Sequence, residues 1–324
     1  MPELPELEAI SARLRLALTG RRIQSLTLNK PSCLKTTEPK LVALADNRII
    51  TIIRLGRFLC LGTDQKLYLC IHLMQDGGLC LCPAHHPMTT SNLLCLHFDN
   101  AEDLRVTEGG TRHRVQVHLV TDPNKVAWIA ELGLDPLGPD FTLNRFRQAL
   151  ARRNRTIKRF LTDQRTVAGI GGCYSDEILH EARLSPFQPT VSLKPEETIR
   201  LYAAVKRVLH DAIVYLKALD HLPDRRDRTF LQVHGRAGQQ CSRCGSAIQR
   251  VSDEKSITYY CPGCQTGGNI LANRSPSSSL PPQELASWSN AACLPADRSL
   301  SSSLPLEGGG NKREGDRPLS GPLK

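Results

Sequence analysis

The stretch KRFLTDQRTVAGIGGCYSDEILHEAR, residues 158–183, indicates most clearly how the middle of this chain folds. It predicts the end of one helix, a glycine-rich turn at Gly169, Gly171 and Gly172, and a second helix with Ser175 as its N-cap and acidic residues in its first turn. Glycine-rich turns before a helix present backbone N–H groups to an anion such as phosphate. Taken alone, such a turn is more typical of close helix packing.

The hydrophobic periodicity on both sides of this stretch predicts an α+β fold. An amphipathic helix over residues 3–18 precedes six short β-type runs between Arg22 and Val120, which we expect to form a β-sandwich. The runs are IQSLTL at 23–28, RIITIIRL at 48–55, FLCLG at 58–62, LYLCIHL at 67–73, LLCLHF at 93–98 and VQVHLV at 115–120. Further helices are predicted over residues 143–151, 155–163 and 194–217, the first capped by Thr142. The predicted domains are an N-terminal domain at 1–121, a proline-containing linker at 122–141, a helical domain at 142–228, a finger at 229–268 and a disordered tail at 269–324.

Four cysteines in the predicted finger form two CxxC pairs. Cys241 and Cys244 are separated by sixteen residues from Cys261 and Cys264, and this spacing is typical of a tetrahedral Zn²⁺ site with four thiolate ligands. A redox pair would need only one CxxC. Because four protein ligands leave no open coordination position, we expect one structural zinc ion.

Charge indicates a polyanionic partner for the predicted domains. The formal net charge is +10, while residues 275–324 carry five basic and five acidic side chains, so the whole excess lies in the first 274 residues. Such an excess favours nucleic acid, although membrane surfaces and acidic proteins would also satisfy it. The chain has no apolar run long enough to span a membrane and begins MPELPELE, unlike a secretory signal. We expect a cytoplasmic protein, nucleoid-associated if bacterial.

The first residues suggest a nucleophile. Removal of Met1 would leave Pro2 with a free secondary α-amine, which is partly neutral near pH 7 because α-amines have pKa values of about 7.7–8.0. A neutral amine can attack a sugar C1′ and form an iminium. Glu3 and Glu6 lie one helical turn apart, and either can shuttle protons for that amine. In isolation, acidic residues here are more typical of an ordinary helix N-terminus.

Three motifs occur here in the order seen in one family. They are MPELPE at residues 1–6, VAGIG–Y–DEIL–R–SP between Val167 and Pro186, and GRAG at 235–238 with the two CxxC pairs. Over residues 1–268 the chain therefore resembles the formamidopyrimidine-DNA glycosylase and endonuclease VIII family. The resemblance implies an N-terminal helix with a β-sandwich, a helix–two-turn–helix module and a zinc finger, with damaged duplex DNA in the cleft between domains.

The resemblance also implies roles for individual residues. Pro2 would be the nucleophile, Glu3 the acid/base group that opens the sugar ring, and Glu6 would assist the first helix. Lys158 and the turn at Gly169 and Gly171 would contact phosphates. Met74 would fill the gap left by an everted base, with core packing as the alternative.

The sequence departs from the family pattern at three positions. Arg57 stands where the family usually has lysine, so it keeps the positive charge but cannot exchange a proton near neutral pH. Gly172 replaces the asparagine that normally follows the GIG turn. Ser256 replaces an arginine of the finger hairpin, with Lys255 beside it as the remaining cation for DNA.

These observations predict a monomeric, bifunctional DNA glycosylase and abasic-site lyase. The short stretch from Ala218 to Phe230 favours formamidopyrimidines or oxidised pyrimidines over 8-oxoguanine, since members that prefer oxidised guanine often have a longer loop there. Two alternatives stay open at this point. Arg57 and Gly172 are compatible with a damage-binding protein that has lost catalysis, and the finger alone is compatible with an unrelated zinc-ribbon module.

Overall fold

The computed structural model describes residues 1–109, 114–252 and 257–271. The predictions for Lys255 and Ser256, and those for the tail beyond residue 271, lie outside these ranges. Within them, Leu271 N donates to Tyr260 Oη at 2.7 Å, so the start of the predicted tail contacts the finger. No helix in the described part of the chain is both long and apolar enough to cross a membrane.

Helix α1, Leu4–Leu18, begins one residue later than predicted and packs its apolar face inward. Leu7, Ile10, Leu14 and Leu18 recur at helical spacing, and all are fully or almost fully buried in the core of the N-terminal domain. Leu4, at the start of the same helix, joins instead the core of the helical domain. The first turn of α1 therefore lies where the two cores meet.

Two antiparallel four-stranded sheets form the N-terminal domain, as the sequence predicted. Their orders are β1-β6-β7-β5 and β2-β3-β4-β8, and apolar side chains from both sheets and from α1 share one core. The strands are β1 Ile23–Leu28, β2 Ile49–Leu55, β3 Phe58–Thr63, β4 Tyr68–His72, β5 Gly77–Pro83, β6 Asn92–Phe98, β7 Glu102–Glu108 and β8 Gln116–Val120. β5 and β7 had no counterpart among the predicted strands.

The predicted linker carries structure of its own. It contains the short helix α2, Ala127–Ala130, after a 3₁₀ turn at Pro123–Lys125. Val126 and Ile129 are buried against Phe58 and Cys60 of β3, so this segment covers one face of a sheet. The connection is therefore fastened to the N-terminal domain by apolar contacts.

Four helices build the helical domain around one apolar core. They are α3 Leu143–Ala151, α4 Ile157–Thr162, α5 Gly172–Ala182 and α6 Pro195–Lys217. The prediction for α3 and its Thr142 cap is confirmed, since the Thr142 side chain accepts from Arg145 N. The prediction that Ser175 caps α5 is wrong: the helix begins four residues earlier, with Gly171 as its N-cap, and Ser175 is buried within it.

The finger consists of the hairpin β9 Gln249–Ser252 and β10 Ile257–Tyr260, followed by the short helix α7, Pro262–Gln265. Acidic side chains of α5 fasten it to the helical domain. Glu177 accepts hydrogen bonds from the backbone N–H groups of residues 232–234, and Asp176 accepts from His234 Nδ1 at 2.8 Å and from Tyr259 N at 3.2 Å. Helix α5 thus connects the glycine-rich turn at its start to the finger along its length.

Candidate active site and metal centre

The N-terminal amine lies in a partly buried cationic environment. In this structure the amine belongs to Met1. The Pro2 nitrogen, which would become the terminus after Met1 is removed, follows one residue later, and Pro2 is buried. Burial, together with the cations Arg225 and Arg228, lowers the pKa of the Met1 amine from 8.0 to about 6. The environment therefore favours a neutral, nucleophilic amine at pH 7.

Glu3 occupies the N-terminus of α5 and supplies the cap that the sequence does not provide locally. Its Oε2 accepts from Gly171 N at 2.6 Å and Tyr174 N at 3.2 Å, and its Oε1 accepts from Cys173 N at 3.0 Å. A carboxylate at this position also compensates the helix dipole. Backbone N–H groups at this turn therefore bind the carboxylate of Glu3, the N-cap residue of α1, and contact of the turn with a phosphate stays a prediction.

Gly171 is required for this approach of Glu3 to the turn. A Cβ at this position would lie 2.3 Å from Glu3 Oε1 and 2.9 Å from Arg57 Nη2. Gly169 has a φ of +87°, and its N–H donates to the Gln164 side chain at 2.8 Å. Both N–H groups predicted to contact phosphate are therefore used inside the protein.

Glu6 lies beneath Glu3 in a buried polar cluster. Its Oε2 accepts from the Glu3 backbone N–H at 2.9 Å, and its Oε1 accepts from Tyr174 Oη at 3.1 Å and from Arg228 Nε at 2.6 Å. Arg228 Nη2 also donates to the Met1 carbonyl at 3.0 Å. Because Glu6 is only 1% exposed, Arg228 is the cation that neutralises its charge in the interior.

Arg57 lies between β2 and β3, at the junction with the glycine-rich turn. Its Nη2 donates to the Ile170 carbonyl, and its Nη1 lies 3.8 Å from Met1 Sδ. Burial lowers the pKa of Arg57 and Glu3 partly offsets this shift, while the Nε atom is buried without a hydrogen-bond partner. Arg57 borders an open cavity of about 410 Å³, which His72 and Trp128 also line.

Met74 lies at the start of the turn between β4 and β5 and is only partly buried. Its φ of +52° is uncommon for a residue with a side chain, and its backbone N–H donates to His72 Nδ1 at 3.2 Å. Met74 is not among the buried residues of the sandwich core. Its role beside an everted base stays a prediction.

Lys158 differs most from its expected environment. It is 6% exposed, and its ammonium group contacts Asp176 Oδ1 at 2.6 Å, the Ile257 carbonyl at 2.8 Å and Thr258 Oγ1 at 2.9 Å. An ammonium group has three N–H donors, and these contacts use all of them. In this arrangement Lys158 joins the helical domain to the finger hairpin, and a phosphate would have to displace one of the three partners.

The four finger cysteines converge as their spacing predicted. Cys241 Sγ lies 3.9 Å from Cys264 Sγ, and Cys244 Sγ lies 3.3 Å from Cys261 Sγ. Zinc–sulfur bonds of about 2.3 Å in a tetrahedron place the sulfur atoms about 3.8 Å apart, so this donor set fits such an ion. Donor atoms of His180, Cys241, Cys261 and Cys264 also lie within 4.8 Å of one another, and the group can hold a metal ion.

Sequence reasoning missed Arg225, Arg228 and Tyr174 as parts of the site. Arg225 and Arg228 belong to a 3₁₀ segment, Arg225–Phe230, whose charged composition is typical of an exposed loop. Its contact with Glu6 joins residues 222 positions apart, so local periodicity carries no sign of it. The tyrosine of the GIGGCY motif was a usable signal, since its ring is fully buried beside Glu6.

Comparison with known proteins shows the same two-part arrangement. The profile of the formamidopyrimidine-DNA glycosylase N-terminal domain matches residues 1–114, and that of the H2TH domain of the same enzymes matches residues 132–219. The chain is 33% identical to the formamidopyrimidine-DNA glycosylase of Herpetosiphon aurantiacus over 276 residues, which are 82% of this chain and 100% of the relative. It is 35% identical to that of Chloroflexus aurantiacus over 273 residues, 82% of this chain and 98% of the relative.

Solved structures agree in fold over the same region. The Lactococcus lactis Fpg in complex with DNA containing an abasic site superposes with a TM-score of 0.74 at 27% identity, covering 82% of this chain and 99% of that one. The MutM (Fpg) protein of Thermus thermophilus superposes with a TM-score of 0.72 at 31% identity, covering 83% and 100%. The chain therefore belongs to the formamidopyrimidine-DNA glycosylase family.

Proposed function

We propose that this protein is a DNA N-glycosylase with abasic-site lyase activity, acting on damaged duplex DNA in base excision repair. The observation that carries the proposal is the buried position of Pro2, between the Met1 carbonyl, which accepts from Arg228, and Glu3, whose carboxylate caps α5. Membership of the family, and the relatives that bind DNA with an abasic site, support it. Such an enzyme works where chromosomal DNA is, in the cytoplasm and on the nucleoid if bacterial.

The reaction uses the Pro2 nitrogen after removal of Met1. Its lone pair attacks C1′ of the damaged nucleotide, and the bond from C1′ to the base breaks with its electron pair leaving on the base, which takes a proton from water. The proton on the attached Pro2 nitrogen passes to the Glu3 carboxylate, and Glu3 delivers it to O4′ as the C1′–O4′ bond breaks, which opens the sugar and leaves an iminium on C1′. Loss of a proton from C2′ then breaks the C3′–O3′ bond and cuts the strand.

The finger supports this chemistry from outside the reaction centre. We assign one structural Zn²⁺ to Cys241, Cys244, Cys261 and Cys264, which together supply a closed tetrahedral set. Bound there, the ion would stabilise a small hairpin. We also keep the domain division at 1–121, 142–228 and 229–268, with 122–141 as linker and 269–324 as tail. The candidate DNA contacts are Arg57, Met74, Lys158, Gly169, Gly171 and Lys255.

Base release from matched duplexes tests the proposal. We expect the trimmed, zinc-loaded protein to release ring-opened guanine and oxidised pyrimidines, and to cut the strand at each site. Release of 8-oxoguanine is expected to be slower, because the segment after α6 is short. An undamaged duplex of the same sequence is the control. Binding to the damaged duplexes without base release or strand cleavage would contradict the proposal.

Gly172 provides a prediction about DNA affinity. It is the exposed first residue of α5, and a Cβ there would have nothing within 4 Å. Gly172→Asn would place an amide donor at a helix N-terminus, where one added phosphate contact contributes about 1 kcal/mol, or roughly fivefold in affinity. We expect about fivefold tighter binding to an abasic duplex in a fluorescence anisotropy titration.

Gly172→Ala is the matched control, since it adds a Cβ and helix propensity without a donor. Its affinity should stay within about twofold of the wild type. Equal tightening by alanine and asparagine would show that helix stability, rather than a phosphate contact, is responsible.

A further inference from the structure

Helix α5 brings an imidazole to the metal centre at the end opposite its glycine-rich turn. His180 is 3% exposed, and its Nε2 lies 3.3 Å from Cys241 Sγ. No step of the proposed reaction uses this side chain. It comes from the helical domain, whereas the four cysteines all come from the finger.

The chemistry of a metal ligand fixes the direction of this hydrogen bond. A cysteine that binds a metal does so as a thiolate and has no proton, so the Cys241 sulfur can only accept. His180 Nε2 therefore carries the hydrogen and donates it. Because the four cysteines already complete a tetrahedron, His180 is not needed as a ligand itself.

Neighbouring contacts hold the same part of the finger against α5. Arg243, between the first two cysteines, donates through Nη1 to the His180 carbonyl at 2.9 Å and pairs through Nη2 with Glu181 at 2.5 Å. The Gln265 side chain donates to the Leu184 carbonyl at 2.9 Å. His180 is set apart from these contacts because its partner is an expected metal ligand.

We propose that His180 is a positioning residue of the zinc centre, donating a hydrogen bond to the Cys241 thiolate and thereby locking the finger to α5. This inference rests on the zinc site assigned above. Outer-shell hydrogen bonds to metal ligands typically contribute 10- to 100-fold in metal affinity. The same bond joins the ion to the helix whose N-terminus holds Glu3.

Two substitutions separate the hydrogen bond from packing. His180→Phe fills a similar volume without a donor, and His180→Gln keeps an N–H near the position of Nε2. We measure zinc release from the full-length protein to a colorimetric chelator, and the thiolate-to-metal charge-transfer band of the Co²⁺ form. His180→Phe should release zinc about 10-fold faster and shift that band. His180→Gln should stay within about threefold of the wild type. His221→Gln, at an exposed histidine, is the control.

Each other outcome overturns the inference. If both variants release zinc at the wild-type rate, His180 only fills space. The same conclusion follows if both release zinc faster than the wild type by the same factor, with unshifted Co²⁺ charge-transfer bands. A wild type that binds no stoichiometric zinc would remove the metal site itself. Base release and strand cleavage by the same preparation then show whether the proposed catalytic function stands without it.

Discussion

Replacing Glu3 with glutamine is expected to lower the rate of base release by on the order of 10²- to 10⁴-fold, the usual contribution of a positioned acid/base group. The amide cannot deliver the proton to O4′. It also cannot accept all three of the hydrogen bonds that the carboxylate accepts from the backbone N–H groups of Gly171, Cys173 and Tyr174. In either orientation its own NH₂ group faces at least one of these donors, so α5 loses part of its cap.

The loss of the cap should also destabilise the protein. A buried donor left without a partner costs about 1–3 kcal/mol, so the free energy of unfolding should fall by about that amount in urea titrations. Glu196→Gln, in the exposed first turn of α6, is the matched control and should change neither quantity appreciably. A Glu3→Gln variant with wild-type stability and wild-type turnover would show that the carboxylate neither caps α5 nor takes part in the reaction.

Replacing Arg228 with glutamine is expected to weaken catalysis most strongly at acidic pH. The nucleophile is the neutral amine. Burial, Arg225 and Arg228 lower the pKa of the Met1 amine to about 6, and we expect the same surroundings to lower the pKa of the Pro2 amine one residue away. Without Arg228 this pKa should rise, although burial and Arg225 still hold it below 8, so less neutral amine is present at acidic pH. Single-turnover strand cleavage should therefore fall about fivefold more at pH 6 than at pH 8.5, because a rise of about one pKa unit, from 6 to 7, lowers the neutral fraction at pH 6 from about one half to about one tenth.

The same substitution leaves the Glu6 carboxylate without its cation. Breaking a buried pair by removing one partner costs about 3–5 kcal/mol, so Arg228→Gln should also be less stable. Arg225→Gln separates the two effects, since Arg225 lowers the pKa of the amine while its guanidinium pairs with Asp76 at 3.5 Å. It should shift the pH profile in the same direction with little loss of stability. Arg226→Gln, at an exposed arginine that pairs with Asp224, is the control. Unchanged pH profiles in both variants would contradict this electrostatic account.

The sequence predicted best those features whose signals are local. Helix α3 follows from its Thr142 cap and its periodicity, and the convergence of the finger cysteines follows from their spacing. The N-terminal sandwich was also predicted, but β7 was missed because only Leu104 and Val106 give it an apolar face toward the core. On its other face Asp103 and Arg105 are both buried and pair at 2.8 Å, and hydrophobicity does not predict burial of that kind.

The active site could be predicted only in part, because long-range contacts define it. Pro2, Glu3 and Glu6 were identified from the motif, but their partners lie far along the chain. Glu3 replaces Ser175 as the cap of α5 from 168 positions away, and Arg228 reaches Glu6 from 222. For the same reason the sequence did not predict that the Lys158 ammonium group bridges α5 and the finger hairpin, and its contact with a phosphate stays a prediction.

Borohydride trapping on a duplex with a single abasic site tests the central claim most directly, that the amine of Pro2 forms an iminium with C1′. Three forms are compared: the trimmed wild type, a trimmed Pro2→Gly variant, and a form that retains Met1. In the last form the Pro2 nitrogen is part of a peptide bond and is not a free amine. We predict a covalent adduct that maps to Pro2 in the trimmed wild type, a weakened adduct in Pro2→Gly, and none on residue 2 when Met1 is present. A trimmed, zinc-loaded protein that binds the duplex and yields no adduct, or an adduct on a lysine that survives retention of Met1, would contradict the account.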